Sequence, residues 1–384
     1  MPGRLREFMQ SFGPAWVVMI ADVDAPSIIT AAAVGAAYGY GLIWFFLILI
    51  VPLFLIQEAS GRIGIATGRG LGDVIRTTYS KRVAVVASIP MAVVDVVSYV
   101  AEYTGIAVGL GIVGVPPVVS MPITYIVHVS IVRLKRFVEI EKMLIAISTV
   151  LILSYAGSLI ARGFSSSSVL YFSAAPQYLF LLAASAGAVV MPFMLFYQAS
   201  ATAEKGGTKV WAMRTETLIG AFASEFGMII IAMATAGIGA SLDFARPKML
   251  AMALSTVAGE FAPYLFAVGL VSAAFVALIV ISLASSWAVV ETLGWQRSNF
   301  FWVYVLESLP AVAVPIFYPN LISLALNLMV VFALVLVGPG ILLGKLASDA
   351  RVMGEHVSRG PWKVAYWLSL ALVLALGLVA LAAA

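Results

Sequence analysis

From Gly41 to Gln57, and again from Met143 to Ala161, the chain runs without a single charged residue. Each stretch approaches the about 20 residues that a helix needs to cross a hydrocarbon core, and no other feature restricts the fold as much. Apolar residues make up 62% of the 384 and charged residues only 10%, more apolar surface than a soluble core of this length can hide. The short alternating segments of an outer-membrane barrel are absent, so an all-α membrane protein is expected, its backbone groups satisfied within each helix.

The apolar pattern places eleven spans at roughly 14–37, 41–60, 84–112, 117–132, 143–161, 175–200, 211–238, 249–285, 299–317, 320–344 and 362–383. Short connections make residues 1–384 one transmembrane domain, with no soluble partner implied. The first apolar stretch is interrupted by Asp22, Asp24 and Pro26, unlike a signal-peptide core. With no cysteine, disulfide frameworks and thiolate metal sites are excluded. The net charge of +4 does not point to nucleic acid, because the basic residues follow the spans. With the N-terminus in the cytoplasm, all of the 22 lysines and arginines except Arg162, Arg246 and Lys248 fall on the cytoplasmic side. That division satisfies the positive-inside rule for a cytoplasmic (inner) membrane and puts the C-terminus outside.

Two spans are broken at their middle. The first reads Asp22-Val23-Asp24-Ala25-Pro26-Ser27, and the sixth reads Gly187-Ala188-Val189-Val190-Met191-Pro192-Phe193. Proline withholds a backbone donor and turns the preceding residue away from helix, so the first span is expected to open near Ala25. Prolines also kink purely structural membrane helices, but Asp24 weighs against that here. A carboxylate at mid-span costs roughly 2.5–3.5 kcal/mol even on the mild insertion scale. A divalent cation at an unwound turn would pair with it, and freed carbonyls would complete the shell. Breaks in corresponding spans of two halves, about 14–161 and 175–344 with an extra helix at 362–383, point to a binding site at the repeat interface.

The stretch Phe12-Gly13-Pro14, Asp24-Ala25-Pro26-Ser27 and Ala37-Tyr38-Gly39-Tyr40 resembles the first span of the NRAMP family of divalent metal transporters. Ile63-Gly64-Ile65-Ala66-Thr67-Gly68-Arg69, Met191-Pro192-Phe193 and Ser348-Asp349-Ala350-Arg351-Val352-Met353-Gly354 resemble later motifs of that family, in order. The resemblance implies the LeuT-type inverted repeat, 5+5 helices plus an eleventh, and transport by alternating access. The metal ligands it implies are Asp24, Ser27 in place of the usual Asn, the carbonyl of Ala188 and the thioether of Met191. From the tenth span they would include Asn327, with Met329 as the alternative register. The divalent ion is substrate, and no cofactor is implied.

The departures bear on coupling. Phe193 replaces the motif histidine, Gln198 stands where a second histidine would be, and Tyr99 replaces an acidic residue. Glu102 remains, with Asp95 seven residues earlier. Asp95, Tyr99 and Glu102 share one helix face and, with Gln198, form a candidate proton or polar network. These losses resemble the NRAMP-related magnesium transporters and argue against strict proton symport. His128 matches no ligand of the family and reads as structural. Met191 is a soft donor favouring manganese or iron, with magnesium the alternative. An organic-solute carrier of the same fold conflicts with Asp24, which would repel a substrate carboxylate. A non-transporting sensor would need an output module that the short loops do not provide. No HExxH pair or serine–histidine arrangement suggests an enzyme.

Overall fold

The structure, a computed structural model, describes residues 2–163, 168–239, 252, 255, 259–317 and 322–383, and no strand occurs among them. A short leading helix, α1 (Pro2–Ser11), precedes the first broken pair, α2 (Pro14–Ala21) and α3 (Ala25–Tyr38). Then come α4 (Ile43–Thr67), the short α5 (Leu71–Thr78), α6 (Lys81–Ile112), α7 (Pro117–Leu134) and α8 (Phe137–Arg162). The second broken pair is α9 (Pro176–Val189) and α10 (Pro192–Lys205), followed by α11 (Val210–Thr235), α12 (Ala262–Leu293) and α13 (Phe300–Phe317). The chain closes with α14 (Ile322–Val335), α15 (Val337–Ala347), α16 (Ala350–Met353) and α17 (Gly360–Ala383). Nine helices among the described residues are long and apolar enough to span a membrane, and eleven spans result when each bent pair counts as one.

The broken span 176–205 is almost wholly buried, whereas α7, α8, α13 and α17 present most of their surface outward, as lipid-facing helices do. The bundle therefore wraps its two interrupted spans in uninterrupted ones. α6 and α12 form its longest internal seam, α9 packs on α3, and α14 packs on both.

Side-chain contacts fix which connections share an end. Arg62 on α4 bonds the His356 carbonyl at 2.5 Å and the Ser358 hydroxyl at 2.7 Å, beyond the tenth span. Lys205 bonds the Phe12 carbonyl, and Lys209 pairs with Glu7 at 2.8 Å. Arg69, Arg133, Lys135 and Arg297 line one cavity of about 1120 Å³. At the opposite end the Tyr171 amide donates to the Gly41 carbonyl at 2.9 Å, and Tyr171 stacks on Tyr38. Connections alternate ends in step with the span count, and the basic ones gather at one end together with the N-terminal helix. In that end Asp349 caps α16, and Arg351 holds its carboxyl below the ordinary range.

Several span ends differ from the sequence expectation. The second span runs on to Thr67 because Arg62 and Glu58 pair at 2.9 Å across one turn, which lets charge remain inside the helix. The eighth, expected over 249–285, ends at Leu293, and its described part starts at Ala262. Serines near the expected end bond within the bundle, which lets the helix run on: Ser282 donates to the Leu278 carbonyl and Ser285 to Glu307. The helix stops at Gly294, whose left-handed φ of 66° suits glycine. A third break was not anticipated. Between Val335 and Val337 the tenth span bends by 43°, where Pro339 has no N–H for the Val335 carbonyl four residues back.

Candidate metal site

The first break opens at Asp22–Asp24, upstream of the expected Ala25, with a bend of 52° between its halves. Proline is tolerated in the first turn of a helix, where the N–H would have no partner. Pro26 therefore sits inside α3, and the chain unwinds before it. Asp24 is extended (φ −86°, ψ 178°) and caps α3, its carboxylate accepting the Ser27 amide at 2.8 Å. The second break repeats the design: Val190 and Met191 are extended and Pro192 begins α10. Because Pro192 has no N–H, the Ala188 carbonyl four residues back loses its helical donor. A carbonyl freed at the C-terminal, negative end of a half-helix is a ready cation ligand.

Ser27 and Met191 are fully buried, and Asp24 and Ala188 are 1% exposed. Met329 of α14, also fully buried, joins them, its sulfur 4.0 Å from the Ser27 hydroxyl. Backbone contact enforces that position: a Cβ added to Gly187 would lie 1.9 Å from the Met329 carbonyl oxygen. Only glycine lets α14 come so close to the end of α9. The side chain of Asn327, the first choice from sequence, lies outside the described residues, and it is the alternative, Met329, that faces Ser27.

Glu102 approaches from α6, accepting the Ala25 amide at 3.1 Å and meeting the Asp24 carboxyl. Asp95 and Tyr99, two turns and one turn away, face other partners. Asp95 lies beside Ser285 and Glu307, with Ser285 donating to Glu307 at 2.9 Å. Tyr99 donates to the Ser282 hydroxyl at 2.9 Å. Ser282 already donates to Leu278, so His128 Nε2, 2.7 Å away, must donate to it. His128 Nδ1 then accepts the Tyr103 hydroxyl at 2.9 Å. Gln198 does not join these groups; its amide packs against Gly61 of α4. Phe193, where the resembled motif carries histidine, sets its ring edge-on to Phe332 at 6.5 Å.

Ser282 and Ser285 were missed from the sequence. Their one signal is the spacing of the two serines, three apart on one face of an otherwise apolar span.

Half-helices meeting inside a bundle of lipid-facing spans define an integral membrane protein of the LeuT-type fold. A family model, "natural resistance-associated macrophage protein-like", matches residues 15–383, and the chain belongs to this Nramp family. A "Divalent metal cation transporter MntH" of Verminephrobacter eiseniae is 30% identical over 234 residues, 59% of this chain; the match spans about half, 52%, of that relative's length. One of the same name from Klebsiella pneumoniae is 26% identical over 388 residues, covering 95% of this chain and 92% of its own. The solved Eremococcus coleocola manganese transporter, in complex with an aromatic bis-isothiourea substituted compound, superposes with a TM-score of 0.78 at 19% identity. The match covers 97% of this chain and 86% of that one, a likeness of fold.

Proposed function

We propose that this chain moves divalent metal ions across the cytoplasmic membrane by alternating access, taking manganese- or iron-like ions in preference to magnesium. The observation that carries the reading is the Met329 sulfur beside the Ser27 hydroxyl. It joins a donor set of the Asp24 carboxylate, the Ser27 hydroxyl, the Ala188 carbonyl and the Met191 thioether. Two thioethers suit a transition metal, whereas magnesium demands oxygen and keeps its waters. The printed names of the relatives, divalent metal cation transporter and manganese transporter, support the substrate class.

In this reading residues 14–161 and 175–344 are the two repeats, and the ion lies where their broken spans meet. The cavity at the basic end is the cytoplasmic vestibule, the N-terminus is cytoplasmic and the C-terminus outside. Phe193 and Gln198 leave the broken sixth span without histidine, so the metal crosses without stoichiometric protons.

Proteoliposome uptake of manganese and magnesium, with a pH-sensitive dye inside the vesicles, tests each part. Manganese entry without matching acidification is expected, abolished in Asp24→Ala. Absence of metal flux in every condition would sink the transport reading; acidification tracking metal entry would overturn the uncoupled one.

A further inference from the structure

Asp22 and Glu225 are two buried acids to which the metal site gives no task. Asp22 lies in the first break, two residues before Asp24. Glu225 lies at mid-span of α11, the helix packed along both α2 and α3. They are 2% and 0% exposed. The Ser224 hydroxyl donates to Asp22 Oδ2 at 2.6 Å. Asp22 Oδ1 and both carboxyl oxygens of Glu225 have no hydrogen-bond partner among the described residues. The charged groups acting on Asp22 among the described residues are Glu225 and Asp24, both acidic.

Three other buried acids are treated differently, although Asp95, beside Glu307, also has both carboxyl oxygens without a partner among the described residues. Glu216 accepts the amides of Gly13 and Trp16 at 2.6 and 2.8 Å. Glu58 binds the guanidinium groups of Arg62 and Arg214. Glu291 accepts the Gly72 amide and the Ser200 hydroxyl. Those three carboxylates come with donors, as burial requires. Of the four carboxyl oxygens of Asp22 and Glu225, only one has a donor. Two such groups side by side repel each other in a low-dielectric interior, and a positive charge between them reverses that repulsion.

We propose that Asp22, Glu225 and Ser224 form a second cation site that takes a hard divalent ion. Two carboxylates match its charge, and the serine hydroxyl, with waters, extends an all-oxygen shell of the kind magnesium, calcium and manganese accept. No thioether enters it, so its preference differs from that of the Asp24 site. Its position on the unwound segment makes it a waypoint beside that site, or a place where one bound ion conditions the other. It does not require Asp24 to hold the transported ion.

Equilibrium binding of radiolabelled manganese to the detergent-purified full chain tests the proposal, with magnesium as competitor. The parent should bind two equivalents, one of them readily displaced by magnesium. Glu225→Gln should lose the magnesium-displaceable equivalent, and Ser224→Ala should weaken it by roughly tenfold, the scale of losing one supporting interaction at a metal. Both should keep the other equivalent, and Met191→Ala should show the reverse pattern. Absence of the magnesium-displaceable equivalent from the parent, or its retention in Glu225→Gln, would overturn the proposal. So would loss of both equivalents in a Glu225→Gln protein that stays monodisperse, because the pair would then serve the Asp24 site. If Glu225→Gln does not fold, Ser224→Ala decides, and unchanged displacement by magnesium in that variant is an overturning result. Failure of the Met191-dependent equivalent alone would remove the transport-site reading and leave this site standing.

Discussion

The Ser27 hydroxyl and the Met329 sulfur lie 4.0 Å apart although 302 residues separate them in sequence. The contact joins the start of α3 to α14, so one donor of each half of the chain meets at the first break. If an ion binds there, Met329 contributes a soft ligand where an amide would have contributed an oxygen. Met329→Gln should therefore move selectivity toward magnesium. The ratio of manganese to magnesium uptake should fall roughly tenfold, the equivalent of about 1.4 kcal/mol, as measured in competitive flux assays. An unchanged ratio would show that the sulfur only packs.

Asp24 has two duties, capping α3 and supplying the carboxylate of the site. Asp24→Asn keeps an oxygen to accept the Ser27 amide, and a neutral cap costs little. Its thermal stability in detergent should stay near that of the parent, while metal uptake should fall to background. A variant that unfolds as readily as it loses uptake would make the residue a cap and nothing more.

The two breaks were legible because proline and a mid-span aspartate are local signals, each readable within four residues. The exact unwinding was not, since Pro26 is accommodated in the first helical turn and the chain opens before it. Span ends were misplaced where polar residues stayed inside a helix: Arg62 found Glu58 one turn away, and Ser285 found Glu307 on the next helix. Those pairings depend on which faces meet. The same limit left Asn327 and Met329 as alternatives, since the register of α14 against Gly187 decides between them, and it hid the approach of Glu225 to Asp22 across some 200 residues.

Gly187 permits the contact between α9 and α14. In Gly187→Ala the new methyl would meet the Met329 carbonyl at 1.9 Å, forcing the helices apart at a cost of about 1–3 kcal/mol or more. Unfolding temperature should fall and uptake should drop with it. Ala186→Gly, one position away, serves as the control for added backbone freedom and should leave uptake largely intact.

The buried pair of Glu58 and Arg62 ties α4 to the chain beyond α16, because Arg62 also bonds the His356 carbonyl and Ser358. Glu58→Gln would leave a 3% exposed guanidinium with its nearest countercharge removed. Breaking a buried pair on one side costs roughly 3–5 kcal/mol. A marked fall in thermal stability is expected, with less effect in Arg214→Ala, whose side chain is 38% exposed. Equal losses in the two variants would contradict the assignment of Arg62 as the principal partner.

Pro192 offers the sharpest separation of stability from function. The proline denies the Ala188 carbonyl its helical hydrogen bond, and the reading proposed above uses that free oxygen as a ligand. In Pro192→Ala the restored N–H can reach back to Ala188 and continue α9 toward α10. The backbone gains a hydrogen bond worth about 0.5–1.5 kcal/mol and loses an exposed acceptor. Thermal stability should hold or rise, while manganese affinity should fall tenfold or more, on the scale of losing a ligand or its support. A destabilised protein with intact affinity would mean that the break serves packing alone. A more stable protein that no longer holds manganese would tie the proline to the cation directly.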